Sequence, residues 1–322
     1  MSRSLRLLSR SKNSSLLGKR VPAAAQHSGE IVLRTGRFAA VGDLQRTSLA
    51  EIWRESNDRE REEVIGSIAE EGPDFVALLG DLVFRGSSAA QWARFDALTA
   101  PLREARIPVV PILGNHEYWF ARQRALLNFF ARFPNLAGRH WHAARYGPLA
   151  LVALDSNIRF LPPAAWDEQR SWLAGELARA DADSQVRGTL VLVHHPPYTN
   201  STVTGDERHV QHAFVPSFAA AEKTIAMLSG HVHSYERFAR GGKTYVVAGG
   251  GGGPRVRLAA GDRRRHADDL FDGPAVRHFH YLLGTIAAEG VSFEMKGMDK
   301  GGSAFEPLDR FLLPWPDAGG RR

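Results

Sequence analysis

The sequence predicts an α/β fold in which two packed sheets carry helices on their outer faces. Three observations lead there. From Ile31 onward, apolar runs alternate with amphipathic stretches, as expected of successive β and α units. Beyond Leu228 the pattern turns to β alone. Five short polar clusters each close an apolar run, in a fixed order: Gly42-Asp43, Gly80-Asp81, Gly114-Asn115-His116-Glu117, Val193-His194-His195-Pro196 and Gly230-His231-Val232-His233.

The elements follow in order. Phe38 to Val41 reads as a short buried strand. Asn57 to Glu71 places Val64, Ile65 and Ile68 at helical spacing among Glu and Arg, and Gly72-Pro73 ends that helix. Phe75 to Leu79 is a strand, Ala89 to Arg106 a helix and Pro108 to Leu113 a strand. Tyr118 to Phe133 reads as an aromatic-rich helix with Phe120, Phe129 and Phe130 in its core. Leu149 to Leu154 is a strand, and Trp166 to Ala180 a helix with Leu173 and Leu177 on one face. Thr189 to Val193 and Thr224 to Leu228 are strands of the fully buried kind. Tyr245 to Ala248, His280 to Ala287 and Val291 to Met295 complete the β-rich end, with Glu289-Gly290 as a hairpin turn. No repeat or linker divides the chain. The expected organisation is a disordered basic arm over 1–30, one domain over 31–300 and a C-terminal tail over 301–322.

Composition narrows the function classes. The hydrophobic fraction of 43% supports a substantial core, and the absence of cysteine excludes disulfides and thiolate metal sites. The net charge of +6 has one source: six basic and no acidic residues lie in 1–29, and the rest of the chain is formally neutral. Nucleic acid is therefore not an expected partner of the body. Such an arm could bind nucleic acid or an anionic membrane, but a solvated tail is the simpler expectation. It lacks the continuous apolar stretch of a secretory signal, since Arg6 interrupts Leu5 to Leu8. The expected location is cytoplasmic, with export as the alternative. No run approaches the roughly 20 apolar residues of a transmembrane helix.

The polar clusters carry the chemistry. In open α/β sheets, ligands sit beyond the carboxyl ends of strands, where Asp43, Asp81, Asn115, His194 and His231 all fall. Glycine precedes Asp43, Asp81, Asn115 and His231, and allows the sharp turn that aims the next side chain at a shared centre. Carboxylate, carboxamide and imidazole suit Mn, Fe or Zn. Two such ions about 3.5–4 Å apart can share a carboxylate and activate water for in-line attack at phosphorus.

These residues resemble the calcineurin-like metallophosphoesterases, and within them the purple-acid-phosphatase-like branch. The run Gly230-His231-Val232-His233-Ser234-Tyr235-Glu236-Arg237 carries the resemblance most strongly. Gly114-Asn115-His116-Glu117, His194-His195-Pro196-Pro197-Tyr198, and Tyr245-Val246-Val247 followed by Gly249 to Gly252 agree with it. The likeness covers about residues 37 to 298. It implies a four-layer α/β/β/α sandwich with two mixed sheets. It also implies a dinuclear centre of two divalent metal ions (Mn, Fe or Zn) and a small phosphorylated substrate, with monoesters favoured over diesters or nucleotides. By the same resemblance Asp81 bridges both metals, Asp43 and His233 bind the first, and Asn115, His194 and His231 bind the second. His116 faces substrate, and a hydroxide bridging the metals is the nucleophile. A non-catalytic metal-binding protein on the same fold is the contrasting reading, and it predicts damaged ligand positions.

Two departures stand out. Purple acid phosphatases carry a tyrosine ligand to ferric iron three residues after the bridging aspartate, where this chain has Phe84. Ferric iron should be held less well, and the protein colourless or weakly coloured. The wider superfamily often carries histidine two residues after the first aspartate, where this chain has Gln45. Its amide oxygen is either a neutral metal ligand or part of the hydrogen bonding behind the site.

Other residues have plainer expectations. Strand alternation turns His195 away from His194, so it is expected to support the site from behind or to pack rather than to bind a metal. His209 and His212 are exposed, or line a substrate entrance. Tyr198 shapes the pocket wall, Glu236 and Arg237 form a structural ion pair, and Asp155 is a structural cap. Trp119 belongs to the helix core or borders the cleft near His116. Gly249 to Gly253 brings backbone close to another strand or to the site rim.

Overall fold

Each central strand alternates between two apolar environments, which builds the layers. In β2, Phe38 and Ala40 face one core, while Ala39 and Val41 face another. The structure is a computed structural model and describes residues 27–47 and 54–316. In chain order its strands are β1 (His27–Ile31), β2 (Arg37–Val41), β3 (Val76–Leu78), β4 (Val109–Pro111), β5 (His142–Tyr146), β6 (Leu149–Ala153) and β7 (Gly188–Val193), followed by β8 (Thr224–Ser229), β9 (Tyr235–Arg240), β10 (Lys243–Ala248), β11 (Phe279–Ile286), β12 (Gly290–Met298) and β13 (Glu306–Pro314). Its α-helices are α1 (Asp58–Glu71), α2 (Ala89–Leu98), α3 (Ala100–Glu104), α4 (Arg122–Arg132), α5 (Pro163–Ala182), α6 (Arg208–Ala213) and α7 (Val215–Ala220).

Two mixed sheets result. One has seven strands in the order β1-β5-β6-β7-β8-β10-β9, the other six in the order β13-β12-β11-β2-β3-β4. Between them lies a core that includes Phe38, Phe75, Tyr146, Leu190, Leu228, Leu282 and Phe293. The outer face of the six-stranded sheet packs on Val64, Ile65 and Ile68 of α1, Trp92 and Phe95 of α2 and Phe129 of α4. The outer face of the seven-stranded sheet packs on Trp166, Leu173 and Leu177 of α5, Val210 of α6 and Phe218 of α7. This is the expected four-layer α/β/β/α sandwich. Strands β3, β7 and β8 are buried along their whole length, so their sequences are continuously apolar rather than alternating.

Several elements depart from expectation. The stretch Ala89 to Arg106 is two helices that meet at Thr99 (ψ 9°). Pro101 follows closely; it offers no N–H to the preceding turn and disfavours helical backbone before it. The helix expected from Tyr118 is a 3-10 turn over His116–Tyr118 and then α4. Phe120 adopts a positive φ of 71° between them and is 64% exposed, so it is not core. Residues 306–314, expected in a tail, form β13, which pairs antiparallel with β12 from Gly290↔Pro314 to Gly297↔Glu306. The expected arm falls largely outside the described residues, and its last part is β1, parallel to β5. Among the described residues, no helix is long and apolar enough to cross a membrane.

Candidate metal centre

The loops that follow β2, β3, β4, β7 and β8 meet at one end of the sandwich. Each begins where a buried strand stops, and together they bring seven polar side chains into a nearly dry space. Asp43, Asp81 and His231 all have left-handed backbone, with φ of 64°, 53° and 66°. That region disfavours side chains other than glycine and persists only where surrounding structure enforces it, most often at functional sites. The glycine before Asn115 is required by space. A Cβ on Gly114 would lie 2.2 Å from Asp81 Oδ1 and 2.3 Å from Asp81 N. The glycine run Gly249 to Gly253 is packed in the same way. Added Cβ atoms would lie 2.6 Å from Asp43 Oδ2 at Gly249, 2.0 Å from His280 Nδ1 at Gly250 and 2.7 Å from His233 Cε1 at Gly253. The run therefore lies directly against the centre.

Two groupings share Asp81. On one side, His233 Nε2 lies 3.4 Å from Asp43 Oδ1. Gln45 joins this side, with its Nε2 3.0 Å from His233 Nε2. On the other side, Asn115 Oδ1 lies 3.1 Å from His194 Nε2 and 3.0 Å from His231 Nδ1. Asp81 Oδ2 is 3.2 Å from His194 Nε2. Ligand-capable atoms of Asp43, Asp81 and His194 all lie within 4.8 Å of one another. Two histidines are pre-aimed by backbone carbonyls. Leu79 O pairs with His194 Nδ1 at 2.8 Å, and Pro254 O with His233 Nδ1 at 2.7 Å. Each carbonyl accepts the Nδ1 proton and turns Nε2 toward the centre, where a metal would displace the proton that the neighbouring carboxylates favour.

The residues fit cations. Asp43 Oδ2 and Gln45 Oε1 are buried with no hydrogen-bond partner, and such atoms are costly unless something pairs with them. Burial raises the Asp43 carboxyl, outweighing its contact with His233. Burial opposes ionisation of Asp81 too, but the His116, His194 and His231 imidazoles hold it well below the usual carboxylate range. Burial would depress His194, yet Asp81 and Asp43 lift it to about 9. Burial and the His194 charge push His231 down to about 3. Gln45 directs its amide Nε2–H at the His233 lone pair that a metal would use. Rotation of the amide by half a turn would present Oε1 to the same position.

His116 stands beside this cluster. Its Nδ1 pairs with Phe84 O at 2.7 Å, and its Nε2 lies 3.7 Å from Asp81 Oδ2. The Trp119 ring lies tilted over it at 3.7 Å between centroids, and Phe84 packs at 5.0 Å. Phe84, which lacks any ligand atom in its side chain, thus positions His116 through its backbone carbonyl and its ring. Burial lowers the His116 pKa.

Glu117 has a role that its residue type did not announce. Its carboxylate accepts the N–H groups of Asp81, Leu82 and Gly114, each at 2.8 Å, and so ties two site loops together. Burial and the Asp81 charge push its carboxyl up to about 8 against those donors. The run Asn115-His116-Glu117 is plain in the sequence, but a carboxylate that binds backbone has no sequence signature.

Other expectations are corrected. His195 does not turn away. β7 ends at Val193, so alternation lapses, and the His195 ring lies 4.4 Å from the His231 ring while Ser156 Oγ holds its Nδ1 at 2.8 Å. Tyr198 is not at the pocket but packs on Phe238 and Tyr245 under Arg240. Glu236 and Arg237 do not pair with each other. Neighbours on β9 point oppositely, so Glu236 accepts Asn200 N–H at 2.6 Å and Arg237 meets Asp309 at 2.8 Å. Asp155 caps its loop by accepting Asn157 N–H at 3.0 Å, and it also holds His140. A cleft of about 540 Å³ opens beside Asn115, His195 and His231, bordered by Trp119 and His209. His212 is exposed. A second cavity of about 470 Å³ lies at the opposite strand ends, near Asp74 and Pro108, and contains none of these residues.

The fold and the strand-end cluster define a phosphoesterase-type sandwich. Residues 36–235 match the calcineurin-like phosphoesterase family, and the chain belongs to it. It is 26% identical over 272 residues to purple acid phosphatase 15 of Arabidopsis thaliana, covering 73% of this chain and 47% of that one. A probable cyclic nucleotide phosphodiesterase of Synechococcus is 25% identical over 186 residues, 57% of this chain and 67% of that one. Among solved structures, a purple acid phosphatase from yellow lupin (Lupinus luteus) seeds superposes with a TM-score of 0.69 at 19% identity, covering 88% of this chain and 54% of that one. The chain spans about half the length, or less, of the first curated relatives it matches.

Proposed function

We propose that this chain is a metal-dependent hydrolase of phosphoric esters, with small monoesters as preferred substrates. The carrying observation is Asp81, a buried carboxylate with Asp43 and His233 on one side and Asn115, His194 and His231 on the other. In this reading Asp81 would help hold two divalent ions, the first with Asp43 and His233 and the second with Asn115, His194 and His231. Gln45 supports the first ion through its unpartnered amide oxygen or through His233. Bound there, such ions supply Lewis acidity and make water a nucleophile near neutral pH.

The chain's own groups do the rest. His116 commits Nδ1 to Phe84 O, so Nε2 is the atom that meets substrate. The Phe84 carbonyl takes the single N–H of the neutral ring, so it is as the imidazolium that Nε2 donates to the phosphoryl oxygens or protonates the leaving oxygen. Trp119 and Phe84 keep its ring from rotating. The cleft admits substrate at the Asn115 and His231 side. With Phe84 in place of a phenolate donor, Mn, Fe(II) or Zn suits the site better than ferric iron.

A diester reading has one observation in its favour, the Synechococcus relative, of which this chain covers 67%. Hydrolysis of p-nitrophenyl phosphate against bis-p-nitrophenyl phosphate by Mn-loaded protein separates the two. Faster monoester turnover is expected, with Asp81→Asn as the blank. Faster diester turnover would replace the monoester reading, and turnover equal to the blank for both would remove the hydrolase reading.

A further inference from the structure

The far wall of the cleft is not made of ligand candidates. It is built by residues 156–160, after β6, and by residues 206–209, which lead into α6. These stretches bring four charged side chains to the wall: Arg159, Asp206, Glu207 and Arg208. Both acids are already engaged. Asp206 lies 2.9 Å from His266 Nε2 and 3.7 Å from Arg265, and accepts Thr199 N–H at 3.0 Å. Glu207 accepts His209 N–H at 3.2 Å and so caps its own helix. Arg159 and Arg208 are exposed, and neither has an ion-pair partner among the described residues. The four charges sum to zero, but both carboxylates already accept hydrogen bonds, so the two guanidinium groups are the charged donors of the wall left to meet a ligand.

Arg159 and Arg208 line the same cleft as Asn115, His195 and His231. Two aromatic rings line the same cleft, Trp119, which lies tilted over His116, and Phe160, which is stacked on Tyr118 at 4.8 Å.

We propose that Arg159 and Arg208 form a subsite for a second anionic group on the leaving portion of the substrate. The substrate class is then a phosphate ester that carries a carboxylate or a further phosphate beyond the scissile oxygen. This inference rests on the phosphoester reading of the centre. A guanidinium offers a planar fork of donors that fits either oxyanion with two parallel hydrogen bonds. Because both arginines are exposed at the cleft wall, they carry little desolvation cost until a ligand covers them. The flat rings suit a planar connecting group.

The test compares three esters on the metal-loaded full chain: phenyl phosphate, 4-carboxyphenyl phosphate and 4-(phosphonomethyl)phenyl phosphate. The double variant Arg159→Gln, Arg208→Gln is expected to lose about tenfold in kcat/KM on the anion-bearing esters, through KM. Phenyl phosphate should change by less than about threefold. A larger loss on the carboxylate ester assigns the class to carboxylic acids, and a larger loss on the phosphonate ester to phosphate-bearing compounds. Equal change on all three esters overturns the subsite. Calorimetric binding of benzylphosphonate and 4-carboxybenzylphosphonate gives a readout without turnover. The carboxylated compound should bind wild type more tightly, and that advantage should vanish in the double variant. If phenyl phosphate is not hydrolysed but the advantage is present and vanishes, the hydrolase reading fails and the subsite stands. If there is no advantage in wild type, or it survives in the variant, the subsite fails.

Discussion

The metal centre and the wall of the cleft are built on opposite principles. The centre draws its side chains from loops that leave fully buried strands, and Asp43, Asp81 and His194 have almost no contact with solvent. Its geometry is enforced by left-handed backbone, close-packed glycine and backbone carbonyls. The wall draws on short turns and the start of a six-residue helix, and Arg159, Arg208 and His209 are exposed. The contrast separates two tasks. Chemistry common to a family needs donors fixed to within fractions of an ångström, which only a rigid scaffold supplies. Selection among substrates needs only charge and shape at the rim, which a surface loop can change without disturbing the fold.

Substitutions in the centre should therefore have large effects that do not depend on substrate, and this is how the contrast is broken first. Asp81→Asn should lower kcat on any ester by roughly a thousandfold, the upper end for removal of one preorganised electrostatic group. Steady-state kinetics on two unrelated esters checks it, and a loss confined to one ester would place Asp81 with the wall. His116→Ala should lower kcat by about a hundredfold or more and leave the metal content unchanged by elemental analysis. Loss of metal in that variant would move His116 into the ligand set.

Glu117 sharpens the same comparison through stability. Glu117→Ala leaves the buried N–H groups of Asp81, Leu82 and Gly114 without their acceptor. It should cost about 3 kcal/mol in a urea titration of the metal-free protein. A cost below about 1 kcal/mol would mean that water replaces the carboxylate. Gly250→Ala should destabilise by about 1–3 kcal/mol, because its Cβ would lie 2.0 Å from His280 Nδ1. A neutral result would show that Gly250 is not packed against His280.

The smallest effect belongs to the far end of the sandwich. Burial opposes ionisation of Asp74, but N–H donation from Arg34 and Thr35 and O–H donation from Tyr146 hold its pKa below the usual carboxylate value. A depressed folded-state pKa gives stability that is present above the unfolded-state value, about 3.9, and is lost as pH falls through the folded-state value. Asp74→Asn should thus be about 1 kcal/mol less stable at pH 6, and the difference should shrink as pH falls below about 4. Thermal melts at both pH values check it, and a difference that grows on acidification would reverse the assigned direction.

Legibility in the sequence follows the same division. Strands β7 and β8 were readable because burial on both faces makes them continuously apolar. The polar residues that interrupt such runs, Asp43, Asp81, Asn115, His194 and His231, stood out for the same reason. β13 was not readable, because it lies at a sheet edge and only Leu313 of its nine residues is buried. The direction of His195 depended on where β7 stopped, which pattern alone sets only to within a few residues. Glu117 and the carbonyl of Phe84 act through backbone hydrogen bonds, which leave no trace in residue type. Arg159 and Arg208 resemble any other surface arginines until the fold carries them to one cleft.

The central claim is that two ions share Asp81. The most direct measurement is Mn binding to this chain by equilibrium dialysis with elemental analysis, for wild type and Asp81→Asn. Wild type should bind two ions per chain, and the variant should lose affinity for both. A single ion in wild type, or two ions held as tightly by Asp81→Asn, would contradict that claim.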